Sequence, residues 1–286
     1  MSRHQVLVPL VTPLDVDAKV CRQSVKQLIR ACGPLVDGFI PCLTSGEGWN
    51  LSAAQWTDML TYTLEFAGDA HRVVAGIELP TTEEVIERAE MAREIGAREI
   101  IVTSPFAPGT GQEHILAHYQ AIHSRTPLDL LVYNESALSG NEKSFDTLLK
   151  IARLERVTGL KDSPSEQRTQ AQIDRIREEG VDYFIGWERE LAGALVSDGN
   201  VVSLANLEPA LCRVACLAQQ PEVAAIVARL NEQFSLGEDD WYAHVKRELT
   251  ARGVLRSGLT TQQQDAHVHA VHEHAILAHV NWEHAR

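Results

Sequence analysis

The sequence predicts an α/β fold, a (β/α)8 TIM barrel followed by a C-terminal extension of about three helices. Three observations point to this class. First, short apolar runs rich in β-branched residues alternate with amphipathic stretches up to about residue 220. Second, there are eight such runs. Third, each run is nearly continuously apolar. Continuous apolar strands are typical of parallel sheets covered on both faces. Eight strand–helix units favour a barrel over a doubly wound sheet.

The individual elements follow from periodicity and from residues that begin or end helices. The clearest helix is residues 82–95, where apolar residues recur at helical spacing with charges between them. Ser52 is a suitable N-cap for the helix after the second strand, and Gly96 and Gly180 lie just past predicted helix ends. The eight predicted strands are residues 6–10, 38–43, 73–77, 99–103, 128–133, 157–161, 183–186 and 200–204.

The last part of the chain carries no strand pattern and is predicted to be helical, packed on the barrel or used between subunits. No Pro-, Ser- or Gly-rich linker precedes it. We therefore interpret residues 1–286 as one domain, with the barrel at 1–220 and the extension at 221–286. The three expected helices of the extension are residues 221–236, 239–252 and 261–282.

Composition narrows the class of protein. The net charge of −13 argues against binding to a nucleic-acid backbone, because such proteins usually present a basic face. No apolar run approaches the length of a membrane span, and the N-terminus lacks the long apolar stretch of a signal peptide. Five cysteines without a CxxC pair are typical of reduced thiols. We expect a cytoplasmic protein that binds a small molecule rather than nucleic acid or a membrane.

The residues that close each strand are the candidates for an active site, because loops after the strands build it in barrels. The sixth strand ends in Lys161, a lone amine placed as a Schiff-base nucleophile would be, or an ordinary surface lysine. The second strand ends in Thr44, Ser45 and Gly46, which form either a carboxylate-binding turn or a plain polar loop. The fifth ends in Tyr133, which would relay protons or simply close the barrel.

Taken together, these strand ends resemble the dihydrodipicolinate synthase / N-acetylneuraminate lyase family, the pyruvate-type class I aldolases on a TIM barrel. The resemblance covers nearly the whole chain. It is carried by the opening Val-Pro-Leu-Val-Thr-Pro-Leu, Thr-Ser-Gly-Glu after the second strand, Tyr133-Asn134, Gly159-Leu160-Lys161-Asp162, and Ser203 with Asn206 and Pro209.

The resemblance implies a mechanism that uses an imine. Lys161 would condense with the ketone of pyruvate or another 2-oxo acid, which requires burial to lower its pKa from the ordinary value of about 10.4. Tyr133 would move protons, with Thr44 linking it into a hydroxyl relay. Thr44 and Ser45 would hold the carboxylate, together with backbone amides beside Gly46. No metal and no diffusible cofactor is expected, and the family implies a homo-oligomer, either a dimer or a tetramer.

Departures from the synthase branch bear on the second substrate. That branch carries an arginine where this chain has Leu138, and a cross-subunit tyrosine in the loop that here reads Ser-Pro-Phe-Ala. Both changes argue against dihydrodipicolinate synthase itself. After the seventh strand, Gly186 and Glu188 would bind sugar hydroxyls, whereas Arg189 indicates a carboxylate or a phosphate.

Three further residues extend the candidate site. Ser163, two residues after the lysine, is similar to its counterpart in aldolases and dehydratases of 2-oxo-3-deoxy sugar acids, and Ser203 would contact substrate from the eighth strand. Glu78 follows the third strand, where relatives usually have small residues. In one interpretation Glu78 borders the pocket, where it would raise the pKa of Lys161 or meet a cationic group on the substrate. In the other it pairs with a neighbouring side chain such as Arg189.

The C-terminal region is rich in histidine, and the spacing of these histidines decides whether they could bind a metal together. On a helix no single face collects three ligands, so we expect a solvated or interface helix rather than a zinc site. The histidines in question are His267, His269, His272 and His274.

Three functions remain open at this point. The first is an aldolase or lyase that forms or cleaves a C–C bond between pyruvate and an aldehyde. The second uses the same lysine imine to dehydrate a 2-oxo-3-deoxy sugar acid. The third is a non-catalytic barrel that serves as a binding protein.

Overall fold

The computed structural model describes residues 4–218 and 220–262. Within them, eight parallel strands close into a barrel in the order β1 to β8, which confirms the predicted fold class. The strands are β1 Gln5–Pro9, β2 Gly38–Ile40, β3 Arg72–Ile77, β4 Glu99–Val102, β5 Asp129–Asn134, β6 Val157–Asp162, β7 Asp182–Ile185 and β8 Gly199–Asn200.

Two strands are shorter than the apolar pattern predicted by three residues each, and each for a visible reason. Strand β2 stops at Ile40 because Cys42 adopts a left-handed conformation, with φ of 61°. Strand β8 stops at Asn200 because the amide side chain of Asn206 takes over its pairing with β1. That side chain donates to the carbonyl of Pro9 at 2.9 Å and accepts from the amide of Val11 at 3.2 Å.

The helices lie outside the barrel, one after each strand except β7. Ser52 caps α2 through a capping box, as predicted, and Gly96 ends α3 with φ of 111°. After β7 the prediction of a helix is wrong, since the chain forms only a 3-10 turn at Glu188–Glu190 before β8. The described helices are α1 Arg22–Cys32, α2 Ala53–Ala67, α3 Thr82–Ile95, α4 Gln112–Arg125, α5 Phe145–Ala152, α6 Gln170–Arg177, α7 Pro209–Ala218, α8 Pro221–Gln233 and α9 Trp241–Ala251.

The core has two parts. The larger fills the space between the strands and the surrounding helices. The smaller fills the barrel interior, where side chains from the strands stack in layers. Tyr133 belongs to this inner group and lies near the carboxyl end of β5. Its side chain therefore forms the top layer of the packed interior and the floor of any cavity above that layer.

Helices α8 and α9 form the described part of the extension. Helix α9 is fixed to the loop after β2 by an ion pair between Lys246 and Glu47, whose side chains are both fully buried. Glu47 also accepts hydrogen bonds from the amide and the hydroxyl of Thr261. The third predicted helix, 261–282, and the histidines within it lie outside the described residues apart from the turn at 261–262. No described helix is long and apolar enough to cross a membrane.

Candidate active site

The carboxyl ends of the strands surround a cavity of about 210 Å³. Its wall comes from the loops after β2, β5, β6, β7 and β8 and from the chain between α8 and α9. The sequence-predicted site residues line this cavity, with the exception of Gly46, Glu78 and Arg189. The strand ends therefore bring together most of the side chains that were expected to act together.

Lys161 lies at the end of β6, in register with Tyr133 on β5 and Phe184 on β7. Its side chain is only 4% exposed, and its Nζ lies 3.7 Å from the centre of the Tyr133 ring. Burial lowers the pKa of this amine to about 8, against the opposing effect of nearby carboxylates, of which Glu78 is the largest. A substantial fraction of the amine is therefore neutral near neutral pH, which a nucleophile requires.

The phenol of Tyr133 interacts with two neighbouring hydroxyl groups, those of Thr44 and Ser163, which act to lower its pKa. Burial raises its pKa above the ordinary value, so the phenol stays protonated. Gly186 makes room for this arrangement, because a Cβ at that position would lie 2.2 Å from the Ser163 Oγ. The glycine at the end of β7 is thus a steric requirement of the site.

A second hydroxyl cluster forms another part of the wall. The hydroxyls of Ser45 and Ser203 lie 2.7 Å apart, and the indole of Trp241 donates to the Ser203 Oγ at 3.0 Å. Ser203 stands at the start of a 3-10 turn rather than in a strand, since β8 has already ended. The amide of Gly46 itself is used within this loop, where it donates to the carbonyl of Leu43 at 2.7 Å. The role of the amides beside Gly46 in holding a carboxylate stays a prediction.

The two charged residues after β7 point to different places. Glu188 lines the cavity, and its Oε1 accepts the amides of Ser203 at 2.6 Å and Leu204 at 3.3 Å. Burial raises the pKa of this carboxyl. Arg189 is exposed and stacks on Trp187, with 4.5 Å between the guanidinium carbon and the ring centre. The prediction that Arg189 binds a substrate anion in the cavity is therefore not supported by its position.

Glu78 lies behind the cavity wall rather than at its edge. It is 1% exposed, and its Oε1 accepts a hydrogen bond from the Thr44 hydroxyl at 2.5 Å. The alternative prediction, that Glu78 pairs with Arg189, is wrong. Burial raises the pKa of Glu78 to about 8. An ionised Glu78 acts to raise the pKa of Lys161, which is the direction expected from the sequence.

Among the wall residues that sequence reasoning missed, Glu135 and Trp241 matter most for the chemistry. Glu135 follows the Tyr-Asn pair and is buried, with its carboxylate accepting the amides of Leu138 and Ser139. The strand alternation that places Tyr133 inward was the signal that could have drawn attention to this loop. Trp241 comes from the extension, and no local pattern indicates that it reaches the barrel.

A second buried lysine contacts the backbone of Tyr133. Lys143 is 1% exposed, and its Nζ donates to the Ser104 Oγ and to the carbonyl of Tyr133, each at 2.8 Å. Burial lowers its pKa to about 7. Because it is not among the residues that line the cavity, a low pKa alone does not identify the reactive amine.

Comparison with known proteins places the chain in a family. The model of the dihydrodipicolinate synthetase family matches residues 2–258. The chain belongs to this family. Its members are class I aldolases with a TIM-barrel fold that use a Schiff-base lysine, so the chain is a lyase and not a non-catalytic barrel.

Individual relatives agree with this membership. A 4-hydroxy-tetrahydrodipicolinate synthase of Rhodospirillum centenum is 30% identical over 217 residues, which cover 72% of both chains. One of Anaeromyxobacter dehalogenans is 26% identical over 231 residues, covering 78% of this chain and 77% of the relative.

Solved structures share the fold. The dihydrodipicolinate synthase of Acinetobacter baumannii, complexed with pyruvate, matches with a TM-score of 0.80 and 25% identity, covering 90% of this chain and 91% of the other. A monomeric dihydrodipicolinate synthase variant matches with a TM-score of 0.76 and 22% identity, covering 89% of each chain. The shared fold by itself therefore does not determine the number of subunits.

Proposed function

We propose that this enzyme condenses the ketone of pyruvate, or of another 2-oxo acid, with Lys161, and that the resulting enamine forms or breaks a C–C bond with an aldehyde. The observation that carries the proposal is a buried amine with a lowered pKa, 3.7 Å from a tyrosine ring at the floor of the cavity. The pyruvate-bound relative of the same fold supports the choice of ligand.

The other wall residues have roles that follow from their chemistry. The hydroxyls of Thr44 and Ser45 hold the 2-oxo carboxylate, and Tyr133 transfers protons to and from the carbinolamine oxygen and the aldehyde oxygen. When the amine adds, the N–C bond forms and the carbonyl electron pair moves to oxygen. Loss of that oxygen as water leaves a protonated imine, which stabilises the enamine that follows.

The charges of the cavity indicate the class of aldehyde. Lys161 is the one basic side chain in the described lining, whereas Glu135, Glu188, Glu238 and Asp239 are acidic. Once the lysine is an imine paired with the substrate carboxylate, no described lining residue is left to neutralise a second anion. We therefore infer a neutral or cationic aldehyde, such as a hydroxyaldehyde.

Borohydride trapping tests the imine. Reduction in the presence of pyruvate is expected to add one 1-carboxyethyl group to a lysine of the wild-type protein and none to Lys161→Met, as read by intact mass. Retention of the adduct by the variant would overturn the assignment. The thermal unfolding midpoints of the variant and the wild type are compared as a control. Equal midpoints would show that the missing adduct is not caused by misfolding.

A matched pair of aldehydes tests the acceptor. Pyruvate consumption with glyceraldehyde, which is neutral, is expected to exceed consumption with succinic semialdehyde, which carries a carboxylate. Leu138→Arg, which adds a cation to the lining, is expected to reverse this order. Faster reaction of the wild type with the anionic aldehyde would refute the inference.

Analysis of products separates cleavage from dehydration. A 2-oxo-3-deoxy sugar acid that is cleaved releases pyruvate, whereas a dehydrated one keeps its carbon skeleton. The proposal predicts released pyruvate.

A further inference from the structure

Glu78 is a buried carboxyl group whose hydrogen bonding is incomplete. Its Oε1 accepts from Thr44, but its Oε2 has no partner among the described residues. Glu47 and Glu135 differ, whereas Glu190, which is also buried, likewise has one carboxylate oxygen without a partner among the described residues. Both carboxylate oxygens of Glu47 are bonded, to Lys246 and Thr261, and those of Glu135 accept backbone amides. An unsatisfied buried carboxyl is costly and calls for a reason beyond packing.

Glu78 is connected to the cavity by a chain of hydroxyl groups. The Thr44 hydroxyl contacts Glu78 on one side and the Tyr133 phenol on the other. Glu78 itself does not line the cavity, so a ligand would meet Tyr133 and Thr44 but not the carboxyl. The three groups form a continuous path for protons from the site to a buried titratable group.

We propose that Glu78 is the end of a proton relay, a positioning residue that supplies protons to Tyr133 through Thr44 and takes them back. The inference rests on the proposed function and names the group that stores the proton between steps. The relay lies entirely within one chain.

The loss of water from the carbinolamine shows how the protons balance. Glu78 gives its proton to the Thr44 oxygen, Thr44 gives its own to the Tyr133 oxygen, and Tyr133 gives the phenolic proton to the leaving hydroxyl. The C–O bond breaks with its electron pair on the departing water, and the nitrogen lone pair forms the C=N bond. Glu78 is then a carboxylate and the imine is a cation, so the total charge is unchanged.

The following steps use the relay in both directions. Enamine formation breaks a C3–H bond, whose electron pair becomes the C=C bond, and the proton returns along the path to Glu78. When the enamine adds to an aldehyde, its C=C pair forms the C–C bond and the carbonyl pair moves to oxygen, which takes the proton back. Hydrolysis of the new imine by water restores the protonated Glu78.

The surroundings of Glu78 suit a group that alternates between charge states. Burial raises its pKa to about 8, while the Thr44 hydroxyl and the Lys161 charge favour the ionised form. The titratable groups that face it come from three strands: Cys42 after β2, Tyr133 and Glu135 at β5, and Lys161 on β6.

Glu78→Gln tests the relay, because an amide keeps the size of the side chain but cannot store the proton. We expect kcat to fall about 100-fold or more, in the range of general acid–base catalysis, with KM for pyruvate nearly unchanged. The exchange of pyruvate methyl protons with deuterated solvent, followed by NMR without aldehyde, is expected to slow by a similar factor. Glu78→Asp is expected to recover part of the kcat and the pH dependence that the amide removes.

Glu190→Gln is the matched control. Glu190 is also buried, and its Oε1 has no partner among the described residues, but it does not contact the relay. This variant is expected to keep the wild-type kcat and pH profile. If Glu78→Gln keeps them as well, the relay is refuted.

A double-mutant cycle with Thr44→Val completes the test. In a serial relay, the second substitution adds little to the first, whereas independent effects multiply. Multiplying losses would overturn the proposal. Borohydride trapping of pyruvate separates a failure of the relay from a failure of the proposed function. An adduct that forms on Glu78→Gln while its proton exchange is slow supports both the relay and the proposed function. The absence of an adduct in the wild type would refute the proposed function itself.

Discussion

The lowered pKa of Lys161 makes a quantitative prediction for the pH dependence of imine formation. With the pKa at about 8 rather than 10.5, about one amine in ten is neutral at pH 7, compared with about one in three thousand for an ordinary lysine. The difference is about 300-fold in reactive amine, or about 3 kcal/mol. The cause is burial, since Lys161 is only 4% exposed.

The rate of adduct formation measures this fraction directly. Enzyme and pyruvate are mixed at a series of pH values, quenched into borohydride at short times and analysed by intact mass. Below about pH 8 the rate constant is expected to rise tenfold per pH unit, and above it to stop rising, because the neutral amine becomes the major form. A rate that continues to climb tenfold per unit to about pH 10 would refute a buried, perturbed amine.

Three substitutions test other parts of the structure. Lys246→Met leaves Glu47 buried without its counter-charge, so we expect the free energy of unfolding in urea to fall by about 3 kcal/mol or more. Gly186→Ala forces the Ser163 hydroxyl away from a Cβ that would lie 2.2 Å from it, and we expect pyruvate turnover to fall roughly 100-fold. Tyr133→Phe removes the proton-transferring hydroxyl, so kcat is expected to fall about 100-fold or more while borohydride still traps an adduct.

Each substitution has a counterpart that should have little effect. Arg93→Ala breaks an ion pair on an exposed helix surface and is expected to leave the urea midpoint unchanged. Gly111→Ala adds a Cβ with ordinary contacts, and Tyr62→Phe alters a tyrosine distant from the cavity. Equal effects in a variant and its counterpart would mean that the predicted contact is not responsible.

The sequence was sufficient where local pattern and strand topology decide the outcome. The barrel followed from apolar runs, and the proximity of Tyr133 and Lys161 followed from their places at neighbouring strand ends, which the register between β5 and β6 bears out. The helix at residues 82–95 and the Ser52 cap could also be predicted, because apolar spacing and capping side chains are signals contained within a few neighbouring residues.

Contacts between distant parts of the chain could not be read in this way. The partner of Glu78 lies 34 residues away on another strand end, and the partner of Trp241 lies 38 residues away. Arg189 was placed by counting from the strand, but the 3-10 turn at Glu188–Glu190 directs it outward. A single turn of backbone thus decides whether a charge reaches the cavity.

Three buried lysines have lowered pKa values, Lys143, Lys161 and Lys246, and the proposed function requires that Lys161 is the one that reacts. Lys246 is paired with Glu47. Lys143 is occupied by Ser104 and the carbonyl of Tyr133 and lies outside the cavity lining, whereas Lys161 faces the cavity. Proteolysis and mass mapping of the borohydride-reduced pyruvate adduct is therefore the most direct test. The adduct is predicted on the peptide that contains Lys161 alone; an adduct on Lys143 would contradict the account.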